Sequence, residues 1–595
     1  MKPLIQSLLI VLPKQDLWRM AASSSLLLFV AFIEVLGLGL ISFLLINIQQ
    51  LNEAITSIEI ASSAINYFSI PSSNVAYIFC TMILIYSVSA TIFSILAIRS
   101  ISISSQLIGS RLRARVLGYF LYSEWMEVSK IQASDQISKL INDGRQVGFI
   151  ISFCLHLFSR FALASFIIIG LLIYNFALSI TMVSVLLGVY GLIFFILQPS
   201  IFNHGADGAH HLNKTLKVLS NIFGSLKEIM FYGVQEKFIQ DYKNADSNLA
   251  WAEGSNVFLA QIPRFIIDSV ILILLITGII YIYGQEYQDF LFFGTLSIYG
   301  LAALKLLPAF QNLYYFYHEI ISRKVQLNSI VHICEKMNIT APSISQNIDL
   351  SFKDKIEFKN VSFQYEEKGL TILENISIKI PSGKNIAIIG PSGSGKSTFL
   401  DLLLGFLSPK HGEILVDGLQ MTKDNINSIR YNFAFVPQKV YLVEDTLKNN
   451  ILFGSQGAHY TEADLNNAII SSKLEEVIKK LPDGLETIVS ESNQLVSGGE
   501  KQSIGIARAT LKEAGVVILD EATNAMDHDL EEATMKNLLD GSKFKTVICI
   551  THKPALLKYF DEIYVFDSGK ITASGSYETI IANNDFLEAM MKDTH

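Results

Sequence analysis

Gly390-Pro391-Ser392-Gly393-Ser394-Gly395-Lys396-Ser397-Thr398 is the stretch on which the reading of this chain turns. It follows an apolar run, Asn385-Ile386-Ala387-Ile388-Ile389, that reads as a short buried strand. It leads into Phe399-Leu400-Asp401-Leu402-Leu403-Leu404, which reads as the start of a helix. Strand, glycine-rich loop and helix opening on Lys-Ser give the spacing G-x-x-x-x-G-K-[ST]. The glycines let successive backbone N–H groups turn toward one anion, and the helix N-terminus adds its positive end. Lys396 is placed to reach the β- and γ-phosphates, and the Ser397 hydroxyl to hold Mg²⁺. The plain alternative, a glycine-rich turn that happens to precede a helix, does not account for the strand before it or the Lys-Ser-Thr after it. The stretch implies a bound nucleoside triphosphate.

Working outward, the composition is not that of a soluble chain. Charged residues make up 17% of the 595 positions, against about 25% in ordinary globular proteins. Mean hydropathy is +0.39, and the long apolar runs fall in the first 325 positions. The net charge of −8 gives no basic footprint for nucleic acid. Cys80, Cys154, Cys334 and Cys549 lie far apart without metal-ligand spacing and read as small buried apolar side chains. Leu4 to Leu12 is apolar, but no small-residue cleavage site precedes Lys14, Asp16 and Arg19, so no secretory signal is read. That opening is expected to be an amphipathic elbow helix on a membrane surface.

Six apolar segments are long enough to cross a bilayer, which takes about 20 residues. They fall near 20–47, 75–98, 147–173, 176–198, 265–283 and 290–318. The stretches 49–74, 174–175 and 284–289 contain no Lys or Arg, whereas 99–146 and 199–264 contain many. By the positive-inside rule the two long loops and both termini are expected in the cytoplasm. These long connections are helical in pattern, with tips expected near 124–129 and 227–233. Ionisable residues inside the spans are Glu34, His156, Arg160, Asp268 and Lys305, with Arg264 at the entry to the fifth. Such residues mark either a polar path or internal ion pairs, for example Glu34 with Lys305 or Arg160 with Asp268.

Between about 326 and 350 the chain turns polar, the composition of a linker. This divides it into a six-helix all-α membrane domain, 1–325, and an α/β nucleotide-binding domain, 351–595. In the second part Ile356 to Tyr365 alternates like a strand and ends on an aromatic, Tyr365, suited to stacking on a base. Gln438 follows Phe435-Val436-Pro437, where its amide can position Mg²⁺ or a water. Val496-Ser497-Gly498-Gly499-Glu500 opens an apolar helical run and is a second anion site of the same kind as the first. One chain has no need of two phosphate sites for one nucleotide; two copies do, if each nucleotide lies between one copy's glycine loop and the other's Ser-Gly-Gly. Val516-Val517-Ile518-Leu519 is a buried strand ending in Asp520, a Mg²⁺ ligand, and Glu521, which can polarise the attacking water. Asp527 ends the next loop, at a subunit contact. Val547 to Thr551 is a further strand ending in His552, placed to contact the γ-phosphate.

Taken together these elements resemble the half-size ATP-binding cassette exporters. Six motifs stand in that family's order: Tyr365, the loop 390–397, Gln438, the signature 496–500, the strand 516–521 and His552. The resemblance implies ATP and Mg²⁺, with Tyr365, Gly390 to Thr398, Gln438, Ser497, Gly498, Gly499 and Glu500 on the nucleotide. It implies Ser397, Gln438 and Asp520 on the metal, and Glu521, His552 and Lys396 in catalysis. Thr487 to Glu491 resembles the family's loop toward the membrane domain. There are departures: Val496 and Glu500 for the usual Leu and Gln, Ser503 for an arginine, and Asn524-Ala525-Met526-Asp527 for Ser-Ala-Leu-Asp. Glu500 is expected to bring a carboxylate near the triphosphate. The implied protein is an ATP-driven exporter or flippase in a bacterial inner membrane, a homodimer with composite sites. Phe32-Ile33-Glu34, Ile262-Pro263-Arg264 and Lys305 to Pro308 resemble flippases of lipid-linked oligosaccharides, which makes Glu34, Arg264 and Lys305 the candidates for meeting substrate. A peptide or hydrophobic small-molecule exporter, and an ATP-gated regulator that transports nothing, are the alternatives.

Overall fold

The computed structural model describes residues 2–47, 50–68, 71, 74–283, 290–339, 352–366, 369–455, 460–493, 495–512, 514–540 and 544–583. By internal contacts the chain divides into two units, residues 1–123 with 127–341 and residues 124–126 with 342–595.

The first unit is all-helical in class, with no strand among its described residues. Its longer helices are α1 (Lys2–Val11), α2 (Lys14–Ile46), α3 (Val75–Tyr122), α4 (Gly144–Tyr174), α5 (Phe176–Gly224), α6 (Gln235–Tyr283), α7 (Phe290–Ser322) and α8 (Lys324–Ile339). Helix is the form that satisfies every backbone group within one segment when no water is available. Among the described residues, four stretches are long and apolar enough to span a membrane: Lys14–Ile46, Val75–Tyr122, Asp135–Tyr174 and Phe176–Gly224. The expected fifth and sixth spans fall in α6 and α7, and the connection at 284–289 lies outside the described residues. α4 and α5 are joined by a sharp turn because the Asn175 side chain accepts the Leu178 N–H at 3.2 Å, capping α5. Short helices at Trp125–Val128 and Leu226–Tyr232 form at the expected tips, the second ended by Gly233 in a left-handed conformation.

Two close fits hold these helices. A Cβ on Gly205 of α5 would lie 2.2 Å from the Ser322 carbonyl oxygen of α7, so only glycine permits that approach. Asp16, buried at the start of α2, receives Arg111 of α3 at 2.5 Å, and Arg115 donates to the Val11 carbonyl at 3.1 Å. The elbow helix α1 buries Leu8 and Val11 and leaves Ile5 and Leu9 exposed, as an amphipathic helix should. It packs against α8. Here the linker reading is corrected: residues 326–339 are not an open linker but most of α8, whose Leu327, Ile330, Ile333 and Cys334 are buried at helical spacing.

The second unit is α/β. Its elements are β1 (Lys355–Phe363), β2 (Leu373–Pro381), β3 (Asn385–Ile389), α9 (Lys396–Leu403), β4 (His411–Val416), β5 (Leu419–Gln420), β6 (Phe433–Val436), α10 (Gly498–Leu511), β7 (Val516–Asp520), α11 (His528–Asp540), β8 (Thr546–Ile550), β9 (Glu562–Asp567) and β10 (Lys570–Gly575). β2-β1-β4-β5 form an antiparallel sheet of four strands. β10-β9-β3-β8-β7-β6 form a sheet of six, parallel except for β10. Both faces of that sheet are covered, which is why its strands read as unbroken apolar runs. Ala387, Ile389, Val517, Leu519, Val547 and Cys549 face one core; Ile386, Ile388, Val516, Ile518, Ile548 and Ile550 face the other with Phe358 and Phe399. The strand period of two thus divides one run between two cores. The carboxyl ends of β3, β7 and β8 lie side by side, and there the polar residues collect.

Candidate functional site

The loop after β3 is bent by glycines in backbone conformations that side chains oppose. Gly390 has φ +150° and a Cβ there would meet the Phe566 carbonyl oxygen at 2.0 Å; Gly395 has φ +101° and its Cβ would meet Leu373 at 2.7 Å. Lys396 is 6% exposed and folds back on the loop, donating to the Gly390 and Pro391 carbonyls at 2.8 and 2.9 Å. Burial holds its ammonium below the usual lysine range, and the Glu521 and Asp520 carboxylates pull it partway back. Among the described residues the buried Ser394 hydroxyl has no partner. A cradle that excludes a Cβ, a cation directed at it and an unpartnered hydroxyl fit a polyphosphate. Ser397 is exposed at the start of α9, open to a cation. The Tyr365 hydroxyl lies 3.3 Å from Thr398, with the ring half exposed beside the loop's helix.

Asp520 ends β7. Burial, with Glu521 and Asp401 nearby, pushes its carboxyl up to about 6 against the pull of Lys396. Such a group suits a metal ligand, because a bound cation restores the charged form. Glu521, one residue on, has φ +48° and donates its N–H to the Ile550 carbonyl at 3.1 Å, which turns its carboxylate away from that of Asp520. Three side chains meet on it. His552 Nε2 lies 2.9 Å from Oε1, while Gln438 Nε2 and Asn524 Nδ2 donate to Oε2 at 2.7 and 2.8 Å. So residues from β7, from the loop after β8 and from the segment after β6 converge, as the carboxyl edge of a parallel sheet allows. Asn524 was not among the residues singled out for the site from the sequence. Its contact depends on the left-handed turn at Glu521, which spacing alone does not reveal.

Ser497 caps α10. Its hydroxyl accepts the Glu500 N–H at 3.3 Å, and Glu500 returns a carboxylate oxygen to the Ser497 N–H at 2.7 Å, a complete capping box. The Glu500 carboxylate is thus engaged at the helix start, with Lys480 3.8 Å from its second oxygen. The start of α10 rests on the loop after β7, where Gln502 accepts the Ala525 N–H at 2.9 Å. Among the described residues no hydrogen bond joins Ser497, Gly498 or Gly499 to the loop 390–398. Glu491 receives Lys501 at 2.7 Å and the Leu442 N–H at 3.0 Å, and the Lys501 ammonium holds it below the usual carboxylate range. Asp527 accepts the Leu530 N–H at 2.8 Å and caps α11.

In the helical unit the candidate substrate residues are not joined by any contact among the described residues. Glu34 is 3.4 Å from the Ser94 hydroxyl, in a cavity it shares with His156, Ser159 and Arg160. Arg264 lies 3.9 Å from Asp268, which also receives Gln311 at 3.2 Å. Lys305 is exposed. The ion pairs considered from sequence, Glu34 with Lys305 and Arg160 with Asp268, are replaced by these partners.

Comparison with known proteins bears on the same geometry. Residues 373–524 match the model of the ABC transporter family. The ATP-dependent lipid A-core flippase of Haemophilus influenzae is 40% identical over 232 residues, 39% of this chain and 39% of that protein. A Rickettsia bellii protein that carries an export ATP-binding/permease name is 28% identical over 533 residues, 86% of this chain and 88% of its own length. The match to the flippase thus spans about two fifths of that relative. The solved structure of a bacterial Atm1-family ABC exporter with ATP bound superposes with a TM-score of 0.79 at 21% identity, covering 98% of this chain and 99% of the other. The chain therefore carries an ABC transporter domain, has the exporter fold of a helical transmembrane part followed by an α/β nucleotide-binding part, and is a multi-pass membrane protein.

Proposed function

We propose that this chain is an ATP-driven exporter of a bacterial inner membrane, acting as a homodimer with both termini in the cytoplasm. Its cargo is a lipid-linked oligosaccharide or glycolipid. The observation that carries the reading is the convergence of Gln438, His552 and Asn524 on Glu521 beside the loop 390–398, in a chain that also holds long apolar helices.

ATP enters the cradle as Lys396 leaves the Gly390 and Pro391 carbonyls for the β- and γ-phosphate oxygens. Tyr365 offers its exposed ring to the base. A Mg²⁺ ion held by Ser397, Gln438 and Asp520 would offset the charge on the phosphates. Among the described residues Ser497, Gly498 and Gly499 make no hydrogen bond to their own loop 390–398, which leaves them for the nucleotide of a second copy. His552 leaves Glu521 Oε1 to hold the γ-phosphate, and Glu521 accepts a proton from the attacking water. Closure of the paired cassettes opens the helices outward, and hydrolysis resets them. An ATP-gated regulator would not require the hydrolytic set that this cleft assembles.

The lipid cargo is supported by relatives named as lipid A-core flippases and by cations, Arg264 and Lys305, on the helical unit. The pairing of Arg264 with Asp268 favours a second reading, a peptide or hydrophobic small molecule, because it neutralises one of those cations. The role of Glu521 is tested by Glu521→Gln in proteoliposomes. ATP binding is expected to persist while turnover falls by about 100-fold or more, the usual scale for a lost general base. Undiminished hydrolysis would overturn the assignment.

A further inference from the structure

Glu521 is held by three donors, yet two of them have work elsewhere in the cycle proposed above. Gln438 is drawn toward the metal and His552 toward the γ-phosphate when nucleotide enters. Asn524 has no such call on it. Its backbone N–H donates to the Glu521 carbonyl at 3.1 Å in the same turn, and its side-chain amide reaches Glu521 Oε2 at 2.8 Å. The Glu521 backbone is itself fixed, by the 3.1 Å bond from its N–H to Ile550. Carboxylate and amide therefore stay within reach of each other after the other two donors have gone.

We propose that Asn524 is a brake on ATP hydrolysis, a positioning residue that keeps a donor on Glu521 throughout the cycle. The proposal rests on Glu521 being the group that accepts the proton of water. A hydrogen bond to an ionised carboxylate is stronger than one to a neutral acid. It therefore stabilises Glu521 before the reaction more than in the transition state, where the carboxylate is gaining a proton, and a contact favouring the ground state slows the step. The contact lies at an open surface in one copy, where water competes for it; a second copy covering the cleft would strengthen it. Alanine at 524 removes the amide outright, and serine, one bond shorter, moves the donor back from Oε2.

The test uses full-length protein in proteoliposomes, with hydrolysis measured against ATP concentration for Asn524→Ser and Asn524→Ala. Both are expected to raise kcat by about 3- to 10-fold, the effect of removing a hydrogen bond to a charged group at a partly exposed site, with KM for ATP within about two-fold. A kcat that falls or stays level in both variants overturns the proposal. The same substitutions are then placed on Glu521→Gln, which has no carboxylate to restrain. There they are expected to add nothing, and an acceleration in that background shows that residue 524 acts elsewhere and overturns the proposal. Full turnover in Glu521→Gln alone would instead overturn the role of Glu521, so the two failures are told apart.

Discussion

The two units treat charge in opposite ways. In the nucleotide-binding unit, polar groups from three separate segments meet on a single carboxylate, every distance to it within 2.9 Å. In the helical unit the ionisable groups are dispersed: Glu34 leans on a serine, Arg264 stands 3.9 Å from Asp268, and Lys305 is exposed. The difference teaches what each arrangement can do. Transfer of a phosphoryl group depends on short, directed contacts that reward placement within tenths of an ångström. Scattered charges on long helices cannot do that chemistry, but they can present a field to a large amphiphile that takes many poses.

If that contrast is right, substitutions should divide sharply between the units. The largest effect is expected at Lys396→Ala, which removes the buried cation folded over the glycine-rich loop. ATP hydrolysis and transport should both fall by about 100-fold or more, read by phosphate release and by cargo uptake in the same vesicles. Retained transport would break the comparison outright. A smaller, cargo-dependent effect is expected from Arg264→Gln combined with Lys305→Gln. Flipping of a fluorescent pyrophosphate-linked lipid should drop by about 10-fold, while an apolar dye changes by less than about two-fold and basal hydrolysis is unaltered. Equal loss for both cargoes would favour a packing role for these side chains.

What could be read from the chain follows the same division. Contiguous signals were legible. The strand-loop-helix around Gly390, the apolar runs of β7 and β8, and the first four long apolar helices each lie within one stretch, so spacing alone declares them. Contacts that depend on which segments become neighbours were not. The partner of Asp268 is a helical turn away in sequence, yet pattern reading offered Arg160, because nothing in one chain says which helices pack together. Other features have a quieter signal. Ser497-x-x-Glu500 is the spacing of a capping box, which a phosphate motif beside it overshadows. Residues 327, 330, 333 and 334 carry apolar side chains at helical spacing, which the polar average of the expected linker conceals.

The cap at the start of α10 divides one hydroxyl between two tasks. Oγ of Ser497 receives the Glu500 N–H through a lone pair, which leaves its hydrogen uncommitted. A residue that secures the start of its own helix thus keeps a proton to give, so one side chain can hold the helix end in place and still offer a hydrogen bond to an incoming anion.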